Sequence, residues 1–187
     1  IGMVGIVEDI SKNISIEFKD PGDFIVSLGP INGQLGGSEY LKTVHNRIEG
    51  PVSNLNMDLE INVQQLCLKA IKRGIIKSAH DVSDGGLAIN ISESLVNADS
   101  KLGIKLDIER QLRNDELLFG ECQSLIIVSL IESNLHELVL LAQQLNVYTQ
   151  TIGRVTDTQS LSINNLIDIP RNQLEKAYFK SLNNIMN

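Results

Sequence analysis

The sequence predicts an α+β fold, a mixed β-sheet covered by helices. Three features carry that expectation. Short β-branched runs are bounded by Gly, Pro and Asp, other segments place apolar residues at three- and four-residue steps, and the two kinds alternate without the regularity of βαβ units. With 187 residues, 42% hydrophobic and 21% charged, the chain is long enough for one domain with a sizeable core.

Taken in order, residues 2–8 and 23–28 ("DFIVSL") read as strands around the "KDPGD" turn. "GPINGQLGGSEYLKTV" is a glycine-rich loop whose last part, Ser38 to Val44, has helical composition, and residues 51–59 read as linker. From Glu60, residues Val63, Leu66, Cys67, Ala70 and Ile71 mark a helix closed by Gly74. "KSAHDV" is then a strand, followed by a helix with Leu87, Ile91 and Leu95 as its buried stripe. Residues 103–108 and 124–130 are strands, the second so uniformly apolar that a central place in a sheet is expected, and "LRNDELLFG" between them is a short helix or turn. Asn134 with Glu137 makes a capping pattern before Leu135, Leu138, Val139, Ala142 and Leu145. "YTQTIGRV" and "QSLSI" suggest a hairpin around Thr156 to Thr158. Pro170 suits the first position of a last helix with Leu174, Ala177, Tyr178, Leu182 and Ile185 inward.

Composition narrows function. A formal charge of −7 with no Lys/Arg cluster argues against a nucleic-acid surface. Apolar stretches are broken by charge within a few residues and no basic signal-peptide start is present, which argues against membrane insertion or secretion. Cys67 and Cys122 lack CxxC spacing, so reduced thiols in a cytoplasmic setting are expected, with neither zinc site nor disulfide. The opening "IGMVGIVED" starts inside a β-branched run, as a piece of a longer protein would.

The densest constellation is "SAHDVSDGGLAI". Adjacent strand side chains face opposite ways, so His80 and Asp81 should not meet one metal ion, and three relay members within four residues cannot stack as Ser, His and Asp. A turn fits better, with Ser83 or Asp84 capping the helix while Gly85 and Gly86 expose N–H groups at its positive end. Such a turn is either a phosphate or carboxylate cradle or simply a capped strand-to-helix connection. "LGGSEYL" is a second loop-to-helix candidate, with Gly36 and Gly37 before Ser38 as cap. It lacks the Lys of a P-loop and the spacing of a dinucleotide fingerprint. "LFGECQSLIIVSL" sets Glu121, Cys122 and Gln123 at the mouth of a buried strand, facing ligand or merely entering the sheet. Cys122 has no neighbouring base, and His45 and His136 read as surface residues.

In order, "IGMVGIVED", "LGGSEYL", "SAHDVSDGGLAINISESL" and "LFGECQS" resemble the C-terminal domain of the aminoimidazole ribonucleotide synthetase-related family over essentially the whole chain, and most of all its amidoligases of purine biosynthesis. The resemblance implies a fragment, residues 1–187, that is the second C-terminal-type copy of a duplicated enzyme. It implies an ATP-dependent conversion of formylglycinamide ribonucleotide and glutamine-derived ammonia to the amidine, with Mg²⁺ neutralising the ATP phosphates. In the family the catalytic His, the Mg²⁺ carboxylates and most ATP contacts lie in preceding ATP-binding domains, and ammonia comes from a separate glutaminase subunit or domain. The resemblance therefore assigns this chain no catalytic residue and no metal ligand, and expects it to be inactive alone. Candidate ligand-binding residues are Gly36, Gly37, Ser38, Ser83, Asp84, Gly85, Gly86, Glu121 and Gln123. The family's Glu-Ser-Gln signature reads Glu121, Cys122, Gln123 here, with Cys in place of Ser. The alternatives are a purely structural assembly module, or a domain of a related member such as selenophosphate synthetase or thiamine monophosphate kinase.

Overall fold

The computed structural model describes residues 2, 4–7, 9–98, 101–109 and 112–186, the last six by their backbone. Its strands are β1 (Phe24–Leu28), β2 (Ser78–Asp81), β3 (Gly103–Leu106), β4 (Ile126–Leu130), β5 (Thr149–Thr156), β6 (Ser160–Ile163) and β7 (Ile167–Pro170). The helices are α1 (Glu39–His45), α2 (Met57–Lys72), α3 (Gly86–Val96), α4 (Asn114–Phe119), α5 (Leu135–Gln144) and α6 (Arg171–Met186). The strands form one sheet in the order β2-β4-β1-β5-β3-β6-β7, antiparallel except for the parallel β3–β6 pair. The α+β expectation stands.

Both faces of the sheet are covered, which is why its inner strands are so apolar. On β1, Ile25 joins the core under α3 and α4, while Phe24, Val26 and Leu28 join the core under α2 and α5. The β4 strand divides the same way, Ile127 to the first core and Val128 and Leu130 to the second, as a two-residue period requires. One bulge breaks the alternation. Ile25 pairs with Gly153 but Val26 with Thr151, so Ile152 is the extra residue, and it turns into the same core as Val155.

The helical periods read from the sequence are the buried stripes: Val63, Leu66, Cys67 and Ala70 on α2, and Leu87, Ile91 and Leu95 on α3. Burying a Leu or Ile side chain fully stabilises by roughly 1.5–3 kcal/mol. Gly74 ends α2 as predicted, at φ +68 with its N–H donating to the Ile71 carbonyl. The linker is shorter than read, because α2 starts at Met57 with Asn56 accepting from the Leu59 N–H.

Four expectations are corrected. Gly2 and residues 4–7 form no strand, and Val4, Ile6 and Val7 are exposed, since among the described residues no strand pairs with them; residues 3 and 8 are outside the described set. The segments 148–155 and 159–163 are not a hairpin, because β3 lies between β5 and β6. Gly103 makes that insertion possible: a Cβ there would lie 2.5 Å from Thr158 Oγ1 and 2.8 Å from the Ser160 carbonyl oxygen, where the connection passes over the strand. Asn134 gives α5 no side-chain cap; its Nδ2 instead donates to the Ile75 carbonyl, 2.9 Å away, tying the helix start to the end of α2. Pro170 is the last residue of β7, not the first of α6, and Ala177 and Tyr178 are exposed, leaving Leu174 as the inward contact. The side chains of Leu182 and Ile185 lie outside the described residues.

Candidate functional site

The β2 strand delivers "HDVSDGG" to one end of the sheet, and its alternation separates the two polar residues as expected. His80 turns under α3, with Nδ1 3.1 Å from Ser94 Oγ and Nε2 3.6 Å from the Glu93 carboxylate. Asp81 turns the other way, into a cavity of about 740 Å³. No relay through Ser83 exists, since the hydroxyl beside His80 belongs to Ser94, which is buried. Asn90 on α3 fixes the strand end by donating Nδ2 to the Asp81 carbonyl at 2.7 Å. Its Oδ1 is a buried polar atom without a hydrogen-bond partner among the described residues.

The cap at α3 differs from the reading. Neither Ser83 nor Asp84 caps the helix; Gly85 holds the cap position at φ +82, a left-handed conformation that suits glycine, and no side chain of its own turn closes the end. The capping group comes from 36 residues away. Glu121 Oε1 accepts the Gly85 N–H at 2.8 Å, and the same oxygen accepts the Glu39 N–H, the first of α1, at 2.9 Å. One carboxylate thus meets the positive ends of two helices, where hydrogen bonds to a charged group contribute roughly 1.5–3 kcal/mol each. Ser38 caps α1 as predicted: Oγ accepts the Leu41 N–H at 3.3 Å and donates to the Leu35 carbonyl at 2.6 Å.

The cavity gathers the three sequence motifs. Gly36 and Gly37 line it from the loop before α1, Ser83 and Asp84 from the turn before α3, and Glu121 and Gln123 from the entry to β4. Ser38, Gly85 and Gly86 do not line it; they stand behind its wall. Residues that sequence reasoning missed complete it: Glu60 and Gln64 from α2, Asp81, and Ser124. Glu60 gives no signal in the sequence beyond its place near a helix start, and Asp81 reads there as a metal ligand, a relay member or a structural polar group, not as a cavity residue. Ser124 is a buried non-glycine residue at φ +59, held by its hydroxyl, which donates to Glu60 Oε2 at 2.6 Å.

The lining carries four carboxylates, Glu60, Asp81, Asp84 and Glu121, and neither Lys nor Arg. Lys42 on α1 is a cation near Asp84 of this lining, its pKa raised first by its hydrogen bond to Glu39 and in smaller part by Asp84. Both cysteines are buried and unpaired. Burial pushes the Cys67 thiol up to about 11 and raises that of Cys122 as well, so neither is poised as a nucleophile. His45 and His136 are exposed, as read from the sequence.

Residues 20–164 match the family described as AIR synthase related protein, C-terminal domain. Among curated relatives, the phosphoribosylformylglycinamidine synthase subunit PurL of Alkaliphilus metalliredigens is 37% identical over 155 residues, covering 83% of this chain and 21% of the relative. The PurL of Gloeobacter violaceus is 45% identical over 130 residues, 70% of this chain and 17% of the relative. The chain thus spans no more than about a quarter of the length of these relatives, the highest share among them being 24%. Among solved structures, Thermotoga maritima PurL complexed with FGAR superposes with a TM-score of 0.73 at 17% identity, over 89% of this chain and 30% of that one. A thiamine-monophosphate kinase from Stenotrophomonas maltophilia gives 0.53 at 22% identity, over 81% of this chain and 52% of that one. The two superpositions speak for the fold, and the matched residues run from the turn before β1 through β6: the chain belongs to the AIR synthase related proteins, as their C-terminal domain.

Proposed function

We propose that the chain is the C-terminal domain of a phosphoribosylformylglycinamidine synthase, working as one part of a longer cytoplasmic polypeptide. In that enzyme the amide oxygen of formylglycinamide ribonucleotide attacks the γ-phosphorus of ATP, releasing ADP. Ammonia then adds to the activated carbon, and phosphate leaves with that oxygen to give the amidine. The observation that carries the reading is the convergence of "GGSEY", "HDVSDGG" and "GECQ" on one cavity in a chain whose curated relatives bear that name. In this reading Gly36, Gly37, Ser83, Asp84 and Gln123 form a cleft wall, completed by preceding ATP-binding domains of the same protein. A glutaminase subunit or domain supplies the ammonia.

Mg²⁺ does not fit this wall. Among the described residues no group of three or more His, Cys, Asp or Glu side chains could hold a metal ion; in this reading residues of the ATP-binding half would hold the ion, which would neutralise the charge of the ATP phosphates there. The test is amidine formation from formylglycinamide ribonucleotide, ATP and ammonia, measured for the full-length protein and for these 187 residues alone. Turnover only by the full-length protein is expected. Turnover by the chain alone, or none by the full-length protein, overturns the reading.

A second reading, an architectural module without a ligand, draws support from Glu121, which already occupies the N–H groups of both helix ends. Asp84→Ala in the full-length enzyme separates the two. A raised KM for ribonucleotide or ATP at unchanged Tm supports the cleft wall, and no change in either supports architecture.

A further inference from the structure

We propose that Glu121 is a positioning residue, an internal anion that locks the starts of α1 and α3 together and thereby sets two walls of the cavity, the loop before α1 and the turn before α3. The inference rests on geometry and not on the functional reading above. Glu39 and Gly85 are far apart in sequence, yet their N–H groups converge on one carboxylate oxygen at 2.9 and 2.8 Å.

The backbone around Glu121 is built to hold it there. A Cβ on Gly86 would lie 2.7 Å from the Phe119 carbonyl carbon and 2.8 Å from the Gly120 oxygen, so the start of α3 packs against the segment that leads into Glu121. On the other side, Gly33 and Gly120 press together, each with the Glu116 carbonyl where a Cβ would stand, and the Glu121 N–H donates to the Gln34 carbonyl at 2.8 Å. Phe119 stacks on Tyr40 of α1 with ring centroids 5.0 Å apart and planes 5° from parallel. Backbone packing, an aromatic stack and one carboxylate therefore join loop 29–38, α1, α3 and the end of α4 at a single point. An anionic ligand of the cavity that sought the Gly85 N–H would have to displace Glu121.

Around this point Glu39 pairs with Lys42 at 2.8 Å, and Glu60, Asp81 and Asp84 share the cavity lining with Glu121. The test follows the backbone amides of the 187-residue chain by ¹⁵N–¹H correlation spectra and hydrogen exchange at one fixed pH. The Glu39 and Gly85 amides are expected to be protected in the wild type and to lose that protection together in Glu121→Ala. Glu121→Asp, one methylene shorter, should keep protection at no more than one of the two amides. The proposal is overturned if either amide is unprotected in the wild type, if either keeps its protection in Glu121→Ala, or if both keep it in Glu121→Asp.

Discussion

At the residue scale, Asp84 and Gly86 look alike in sequence as parts of one turn and are opposite in structure. The Asp84 side chain is exposed and accepts no hydrogen bond among the described residues, because the cap it was expected to supply comes from Glu121. Asp84→Ala should therefore shift the free energy of unfolding by no more than about 0.5 kcal/mol, well short of the ~1 kcal/mol that loss of a helix cap costs. Gly86 sits at φ +73 with main-chain atoms where its Cβ would be, so Gly86→Val should cost about 3 kcal/mol or more, or prevent folding. Urea denaturation of both variants checks the pair. Equal costs would mean that the turn is held by its side chains after all.

At the element scale, what the sequence revealed was local. The apolar steps of α2 and α3, the Ser38 cap and the Gly74 stop each depend on residues within a few positions, and each was readable. The supposed hairpin failed because β3, far upstream, takes the place between β5 and β6, and no period or turn residue reports such an insertion. The candidate site divides along the same line: its motif residues were legible as turns and strand mouths. That Glu121 would cap both α1 and α3 depends on contacts across 82 and 36 residues. A charged tie between elements gives a further prediction. Lys77, just before β2, reaches past β4 to Asp23 at the start of β1 and to Asp20, both at 2.7 Å. Partial burial alone would lower the Lys77 pKa, but the hydrogen bonds to Asp20 and Asp23 outweigh it and raise the value above the ordinary lysine 10.5. A pKa raised on folding means that the ammonium form stabilises the fold. That contribution is complete below about pH 10.5 and is lost as pH rises through the folded-state value. Thermal unfolding between pH 9 and 12 should show this alkaline loss in the wild type and a shallower one in Lys77→Met; identical slopes would remove the tie from the account.

At the scale of the whole molecule, the sheet is shared by two cores, one under α3 and α4 and one under α2 and α5, with β1 and β4 contributing to both. Neither core can open without exposing a face of the same strands. Leu95→Ala in the first core and Leu130→Ala in the second, both at fully buried positions, should each cost about 2–5 kcal/mol and lower a single cooperative transition. Circular dichroism and tyrosine fluorescence should then give coincident midpoints in both variants. Separate midpoints in either would mean that the cores fold as independent units.

The glycine contact behind Glu121 also bears on how this corner can evolve. At Gly33, Gly86 and Gly120 every nearest obstacle to a side chain is a main-chain atom, so no second mutation that trims a neighbour can make room. Suppressor screens should find no compensating change for substitutions there, and variation should reach these three sites only through a concerted shift of whole segments. One residue away, at Gly85, the nearest obstacle is the side chain of Ile89, which a smaller residue would trim, but the φ of +82 leaves any side chain at position 85 strained whatever the space.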